Sequence, residues 1–135
     1  MEPEESSAIY NYSRDARTNR QSSINLKYIK TCYVIGVGGI GSWTALNLAL
    51  SGQVSNIVLY DDDDIEVSNL NRTPFRICDI GLNKAEQLKY LIHERMLDIN
   101  VVSIPKKFDG TLYSDYMFDR PELIMDCRDN IFDDI

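Results

Sequence analysis

A chain of 135 residues, 44% hydrophobic and 26% charged, fits one domain with a real core and is not the composition of a disordered segment. Its formal net charge of −7 argues against nucleic-acid binding, which needs a basic surface to neutralise phosphates. No apolar run reaches the roughly 18 residues of a membrane span, and the acidic start Met1-Glu2-Pro3-Glu4-Glu5 lacks the basic opening of a signal peptide.

Residues 1–30 form a polar extension or short helix with arginines at 14, 17 and 20, and residues 31–135 are expected to form the folded unit. Tyr33-Val34-Ile35-Gly36-Val37 is an apolar, β-branched run suited to a strand buried on both faces. A helix is expected from Ser42 to Ser51, with Trp43 in the core, ending at Gly52. A second strand, from Asn56 to Asp61, ends on a carboxylate, and a polar loop follows to about Gly81.

Asn83 can cap the next helix, whose apolar residues Leu88, Leu91, Ile92 and Met96 keep helical spacing. Val101-Val102-Ser103-Ile104 reads as a third strand, residues 112–118 as a short helix, and Leu123-Ile124-Met125-Asp126 as a fourth strand. Strands alternating with helices give a parallel α/β sheet, because parallel neighbours need crossover connections. The expected fold is Rossmann-like, about four strands in the order 3-2-1-4 flanked by helices, with the fourth strand an apolar edge in need of cover.

Gly36-x-Gly38-Gly39-x-Gly41 stands between a strand and a helix, the context in which such glycines let backbone approach a phosphate at a helix N-terminus. Asp61 follows Gly41 by 20 residues, where it could accept ribose hydroxyls. This much does not separate NAD, FAD, a methyl donor or ATP. Residues 61–72 (Asp61-Asp62-Asp63-Asp64-Ile65-Glu66-Val67-Ser68-Asn69-Leu70-Asn71-Arg72) and Lys84 add a cationic set of the kind needed where pyrophosphate leaves. Arg72 can fork onto phosphate oxygens, Lys84 can point back from a first helical turn, and Asn69 can hold ribose or phosphate oxygens. An NAD-dependent oxidoreductase would account for the glycines and Asp61 but leaves Ser68-Asn69-Leu70-Asn71-Arg72 unexplained.

Together the GxGGxG run, D-x-D, SNLxR, the downstream lysine and a final DxxDN resemble the ThiF/MoeB/E1 superfamily from about residue 30 to the C-terminus. The resemblance implies Mg-ATP binding and adenylylation of the C-terminal carboxylate of a ubiquitin-like protein or of a peptide. It implies that Gly36, Gly38, Gly39 and Gly41 line the phosphates, that Asp61 holds the ribose, and that Asn69, Arg72 and Lys84 contact phosphates. Asp63 matches a recurring acid of the family, and Asp129 matches its magnesium-binding acid. An arginine before the first strand, often supplied by a partner protomer, is matched by Arg14 and nearly as well by Arg20.

Family members continue past DxxDN with further strands, a crossover segment and commonly two CxxC zinc pairs. The resemblance therefore implies a homodimer or a complementing chain, and leaves a non-catalytic remnant or split subunit as the alternative to an enzyme. The three cysteines, Cys32, Cys78 and Cys127, have no CxxC spacing and argue for reduced thiols in a cytoplasmic protein. Cys127 is read as a small buried filler and His93 as a surface or half-buried imidazole.

Overall fold

The computed structural model describes residues 28–96, 98–111 and 120–128. Arg14, Arg20, Asp129 and the helix expected over 112–118 lie outside the described residues. Four parallel strands, β1 (Ile29–Ile35), β2 (Val54–Tyr60), β3 (Asn100–Ile104) and β4 (Leu123–Asp126), pair in the order β3-β2-β1-β4. This is the expected order. Helix α1 (Gly39–Ser51) joins β1 to β2, and α2 (Lys84–His93) stands between β2 and β3.

Side-chain alternation along the strands divides the core in two. Cys32, Val34, Ile57, Leu59 and Val101 pack with Ala45, Leu46 and Ala49 of α1 and Ala85, Leu88 and Ile92 of α2. Tyr33, Ile35, Val58 and Tyr60 form the second cluster, with Val102, Ile104 and Phe108 against it. Both described helices therefore serve one face, while residues of the other face are buried as well.

Register is held by a buried polar ladder near the start of the sheet. Asn56 pairs with Thr31 on one side and Asn100 on the other, and its amide donates to the Thr31 hydroxyl at 3.1 Å. The Asn100 amide donates in turn to Asn56 Oδ1 at 2.9 Å. A slip by one residue would leave these groups unpaired in the core, a cost of a few kcal/mol.

β4 sits at one edge of the described sheet and is half-covered, with Ile124 48% exposed. The helix read from Ser42 begins three residues earlier, at Gly39. The core position expected for Trp43 is not taken: the ring is 44% exposed, and its indole N–H donates to the Arg72 carbonyl at 2.8 Å. Met96 is buried but lies beyond α2, which ends at His93.

Candidate functional site

The chain leaves β1 through Gly36, whose φ of +90° is disfavoured for residues with a side chain. A Cβ there would also stand 3.0 Å from the Arg128 amide nitrogen and the Cys127 carbonyl group. Gly38 then caps α1 without a side chain of its own, and the first turn carries no acidic residue. The Gly38 carbonyl accepts from Ser42 N at 3.0 Å and from the buried Ser42 hydroxyl. Free N–H groups and the helix dipole at this end favour negative charge.

Asp61, just past β2, fastens the glycine turn to the neighbouring loop. Its Oδ2 accepts from Val37 N at 2.7 Å and its Oδ1 from Asp63 N at 2.8 Å. Burial raises its carboxyl above the usual range, and those two N–H bonds only partly offset the rise.

The loop after Asp61 is ordered by apolar anchors and two short 3-10 turns, at Val67–Asn69 and Ile77–Asp79. Ile65 and Phe75 are buried in the main core, a foothold that the polar character of the segment conceals. Asn69 Oδ1 accepts from the Glu66 N–H at 2.8 Å, which fixes the side chain and leaves its amide N–H groups to serve an anion. Arg72 is exposed and does not line the cleft, but its backbone packs against the start of α1: a Cβ on Gly39 would lie 3.7 Å from Arg72 Cβ. Trp43 thus holds the Arg72 loop onto α1.

Asn83 joins α2 to the end of β2. Its Oδ1 accepts from Glu86 N at 3.0 Å, and its amide donates to the Asp61 and Asp63 carbonyls at 2.9 and 3.3 Å. Lys84 follows, only 9% exposed, with its N–H on the Asp63 carbonyl at 3.0 Å and its ammonium 3.8 Å from Asp63 Oδ2. Its charge also favours the ionised form of the half-buried Asp61.

These elements surround a cleft of about 330 Å³ across the carboxyl ends of all four strands. The order reverses between β1 and β4, the place where open α/β sheets hold ligands. Of the residues expected at the site, Gly36, Gly38, Asp61, Asp63 and Lys84 line the cleft, while Gly39, Gly41, Asn69 and Arg72 do not. Tyr60, Lys106, Lys107, Phe108 and Arg128 line it too and were not singled out beforehand. Their signal was position: Lys106 and Lys107 lie just past β3, Arg128 just past β4. Phe108 stacks edge-on against Tyr60, with centroids 5.0 Å apart, and gives that end of the cleft an aromatic wall.

Asp61, Asp62 and Asp63 bring carboxylate oxygens within 4.8 Å of one another, hard donors of the type magnesium accepts. Cys127 also lines the cleft, half-buried, and burial raises its thiol pKa, which disfavours the thiolate a nucleophile would need. His93 is half-buried as expected, with Nε2 at 3.0 Å from the Ile99 carbonyl, away from the cleft.

Asp79 does not line the cleft; it ties its own turn to α2. It is 2% exposed and accepts from Arg76 Nε and Nη2 at 3.3 Å each, from Arg76 N at 2.8 Å and from the Gln87 amide at 2.8 Å. Burial alone would raise its carboxyl, but the Arg76 bonds outweigh that and hold it below the usual range. A depressed carboxylate stabilises the fold above its unfolded pKa and loses that contribution as pH falls through the folded value. Asp79→Asn is therefore expected to cost about 1–3 kcal/mol at pH 7 and progressively less below about pH 4, read from urea midpoints across that range.

The family model for ThiF matches residues 12–133. The chain belongs to the ThiF family. Among its ThiF-type relatives, the sulfur carrier protein ThiS adenylyltransferase of Escherichia coli K12 is 34% identical over 99 residues, covering 73% of this chain and 39% of that protein. SUMO-activating enzyme subunit 2 of Dictyostelium discoideum is 35% identical over 106 residues, covering 76% of this chain and 16% of that one. The crystal structure of E. coli tRNA N6-threonylcarbamoyladenosine dehydratase, TcdA, superposes with a TM-score of 0.72 at 26% identity, over 90% of this chain and 52% of that chain. E. coli MccB, crystallised with ATP, superposes with a TM-score of 0.56 at 35% identity, over 60% of this chain and 24% of that chain. The chain spans less than half the length of the curated relatives it matches.

Proposed function

We propose that the cleft binds ATP and serves the adenylylation of a carboxylate, the C-terminus of a ubiquitin-like protein or of a peptide. The observation that carries this reading is the buried Lys84, held with Asp61 and the acid-free start of α1 around one cleft. Relatives named as adenylyltransferases, and MccB crystallised with ATP, support it.

In this reading the triphosphate lies along Gly36, Gly38, Gly39 and Gly41 at the N-terminus of α1, with Asp61 toward the ribose hydroxyls. A carboxylate oxygen of the substrate attacks the α-phosphorus. The bond from that phosphorus to the bridging oxygen breaks, and its electron pair leaves with pyrophosphate, giving acyl-AMP. The attacking carboxylate is already an anion, so the step needs positioning and charge neutralisation, not a side-chain base. Lys84 and Arg72 supply that neutralisation, Arg72 by closing from the loop that Trp43 tethers to α1, and Asn69 through its amide N–H groups.

Magnesium would be held by Asp129, together with Asp63 or Asp62, and would offset phosphate charge. Arg14, or Arg20 in its place, would add a cation from the N-terminal segment, in cis or from the second protomer of a homodimer. A cytoplasmic setting with reduced thiols fits this chemistry.

The test is exchange of labelled pyrophosphate into ATP with a panel of carrier proteins and peptides ending in Gly-Gly. The expected result is carrier-dependent exchange that falls about 100-fold or more in Arg72→Ala. A second reading, a subunit that binds nucleotide and is completed by another chain, is favoured by the half-covered edge strand β4. Retained ATP binding with no exchange for any carrier would favour that reading and overturn the first.

A further inference from the structure

The scheme above gives the phosphates and the ribose a place, but none to the base. The ends of three neighbouring strands line up across the cleft. The glycine turn follows β1, Asp61 follows β2, and Phe108 lies just past β3. Two backbone N–H groups tie these segments together. Val37 N of the glycine turn donates to Asp61 Oδ2, and Asp61 N donates to the Ile104 carbonyl at 3.2 Å. The chain beyond β3 therefore starts beside the acid read as the ribose ligand, across β2 from the glycine turn.

Apart from Cys127, the apolar side chains lining the cleft are Ile35, Tyr60 and Phe108. Ile35 and Tyr60 belong to the second core cluster and are 3% and 6% exposed, so they form the back of the wall. Phe108 packs on that cluster but is only half-buried, which leaves part of its ring to the cleft. The ring meets Tyr60 edge-on at 5.0 Å, and Tyr60 in turn stands 5.8 Å from Tyr33. Just beyond, Thr111 N donates to Asp109 Oδ1 at 2.8 Å, and the Tyr60 hydroxyl reaches the Thr111 carbonyl at 3.5 Å. These contacts fold residues 108–111 back onto the end of β2.

We propose that Phe108 is the base-stacking residue of this cleft, its ring against the face of a purine whose ribose is held at Asp61. A purine is a flat ring with a π-face, and aromatic side chains take such faces whichever base carries them. The glycine turn, Asp61 and Phe108, taken along β1, β2 and β3, repeat the order phosphate, ribose, base. The opposite direction, toward β4, offers Cys127 and Arg128 and no aromatic ring. A ring already packed on Tyr60 gives up little rotamer freedom when a base arrives. The inference deepens the adenylylation reading and rests on it for the ligand's being a nucleotide.

A core role and a base-stacking role differ in what they do to two ligands. Were Phe108 only a core residue, its loss would lower stability and leave the ratio of ATP to triphosphate affinity unchanged. As the base platform, its loss weakens ATP and spares inorganic triphosphate, which has no base. Lys84 gives the contrast, because its charge acts on both.

The experiment is calorimetric titration of the wild-type protein, Phe108→Ala, Phe108→Leu, Phe108→Tyr and Lys84→Met with ATP, NAD and inorganic triphosphate, beside melting curves without ligand. Phe108→Ala is expected to weaken ATP about tenfold and to leave triphosphate within about twofold of wild type. Phe108→Tyr, which keeps the ring, should bind ATP as wild type does, and Lys84→Met should weaken both ligands. Phe108→Leu keeps the apolar bulk but not the flat face; it should lose ATP affinity with the alanine variant, and carries the test if that variant does not fold. ATP affinity unchanged in Phe108→Leu, or a loss that triphosphate shares equally, overturns the proposal and leaves the adenylylation reading standing. Phe108-dependent binding of NAD without binding of ATP would sink the adenylylation reading and leave this inference standing. A wild-type protein that binds none of the three ligands would overturn both.

Discussion

Gly41→Ala is expected to destabilise the protein by about 4 kcal/mol and to abolish nucleotide binding with it. A Cβ at position 41 would stand 1.8 Å from the Gly36 carbonyl oxygen, 2.9 Å from the Gly36 carbonyl carbon and 3.1 Å from Cys127 Cβ. The first two obstacles are backbone within the glycine turn, so no rotamer change relieves them. Either α1 lifts off the sheet, exposing Ala45, Leu46 and Ala49, or the turn abandons its geometry. A loss of that size is in the exceptional tail for single substitutions, and here it has a named cause. It corresponds to a fall in melting temperature of roughly 15 °C or more for a domain this small.

Gly39→Ala is the control. Its nearest neighbour would be Arg72 Cβ at 3.7 Å, ordinary contact, so the unliganded protein should melt within a few degrees of wild type. Equal melting of Gly41→Ala and wild type would mean that the close approach of α1 to β1 is wrong.

Lys84→Met is expected to bind ATP about 100-fold more weakly, while the unliganded protein melts within a few degrees of wild type. Methionine fills a similar volume without a charge to desolvate. The partner that loses its ion pair, Asp63, has a side chain that is 71% exposed and is readily satisfied by water. The cost falls on the half-buried Asp61, whose charged form Lys84 also favours, and it is limited because two backbone N–H groups still hold that carboxylate. A binding loss much larger than the change in stability is the mark of a residue kept for its ligand. Should Lys84→Met unfold the protein, or bind ATP as wild type does, Lys84 would be a structural residue and the cleft would lose its principal cation.

Much of the architecture was legible because the relevant forces are local and periodic. The apolar run around Tyr33 and Val34 reads as a strand buried on both faces, and both faces of β1 are buried. The order of β1, β2 and β3 also follows from the alternation of elements, since right-handed crossovers with α1 and α2 on one face carry the chain one way across the sheet. Asn83 reads as a cap and accepts the Glu86 N–H of α2.

What escaped the sequence was set by contacts between distant residues. Helix α1 begins among glycines, which intrinsic propensity disfavours, because the tight turn at Gly36 and the Ser42 bonds to the Gly38 carbonyl start it early. Trp43 reads as core because it is large and aromatic, yet its N–H has a use outside, on the Arg72 carbonyl. Lys106 and Lys107 look like solvated charges after a strand until the sheet places the ends of β2 and β3 side by side. Arg128 reaches the cleft because the pairing of β1 with β4 brings the end of β4 beside the glycine turn.

The central claim is that this cleft is an ATP site and not a dinucleotide site. The most direct measurement is the melting temperature of the wild-type protein with saturating Mg-ATP and, separately, with NAD. Ligand at 100 times its dissociation constant should stabilise the fold by roughly 2.7 kcal/mol, an upward shift of several degrees. A rise with ATP that NAD does not reproduce, and that shrinks in Lys84→Met, is the predicted result. A rise with NAD alone, or an ATP-dependent rise unchanged in Lys84→Met, would contradict it.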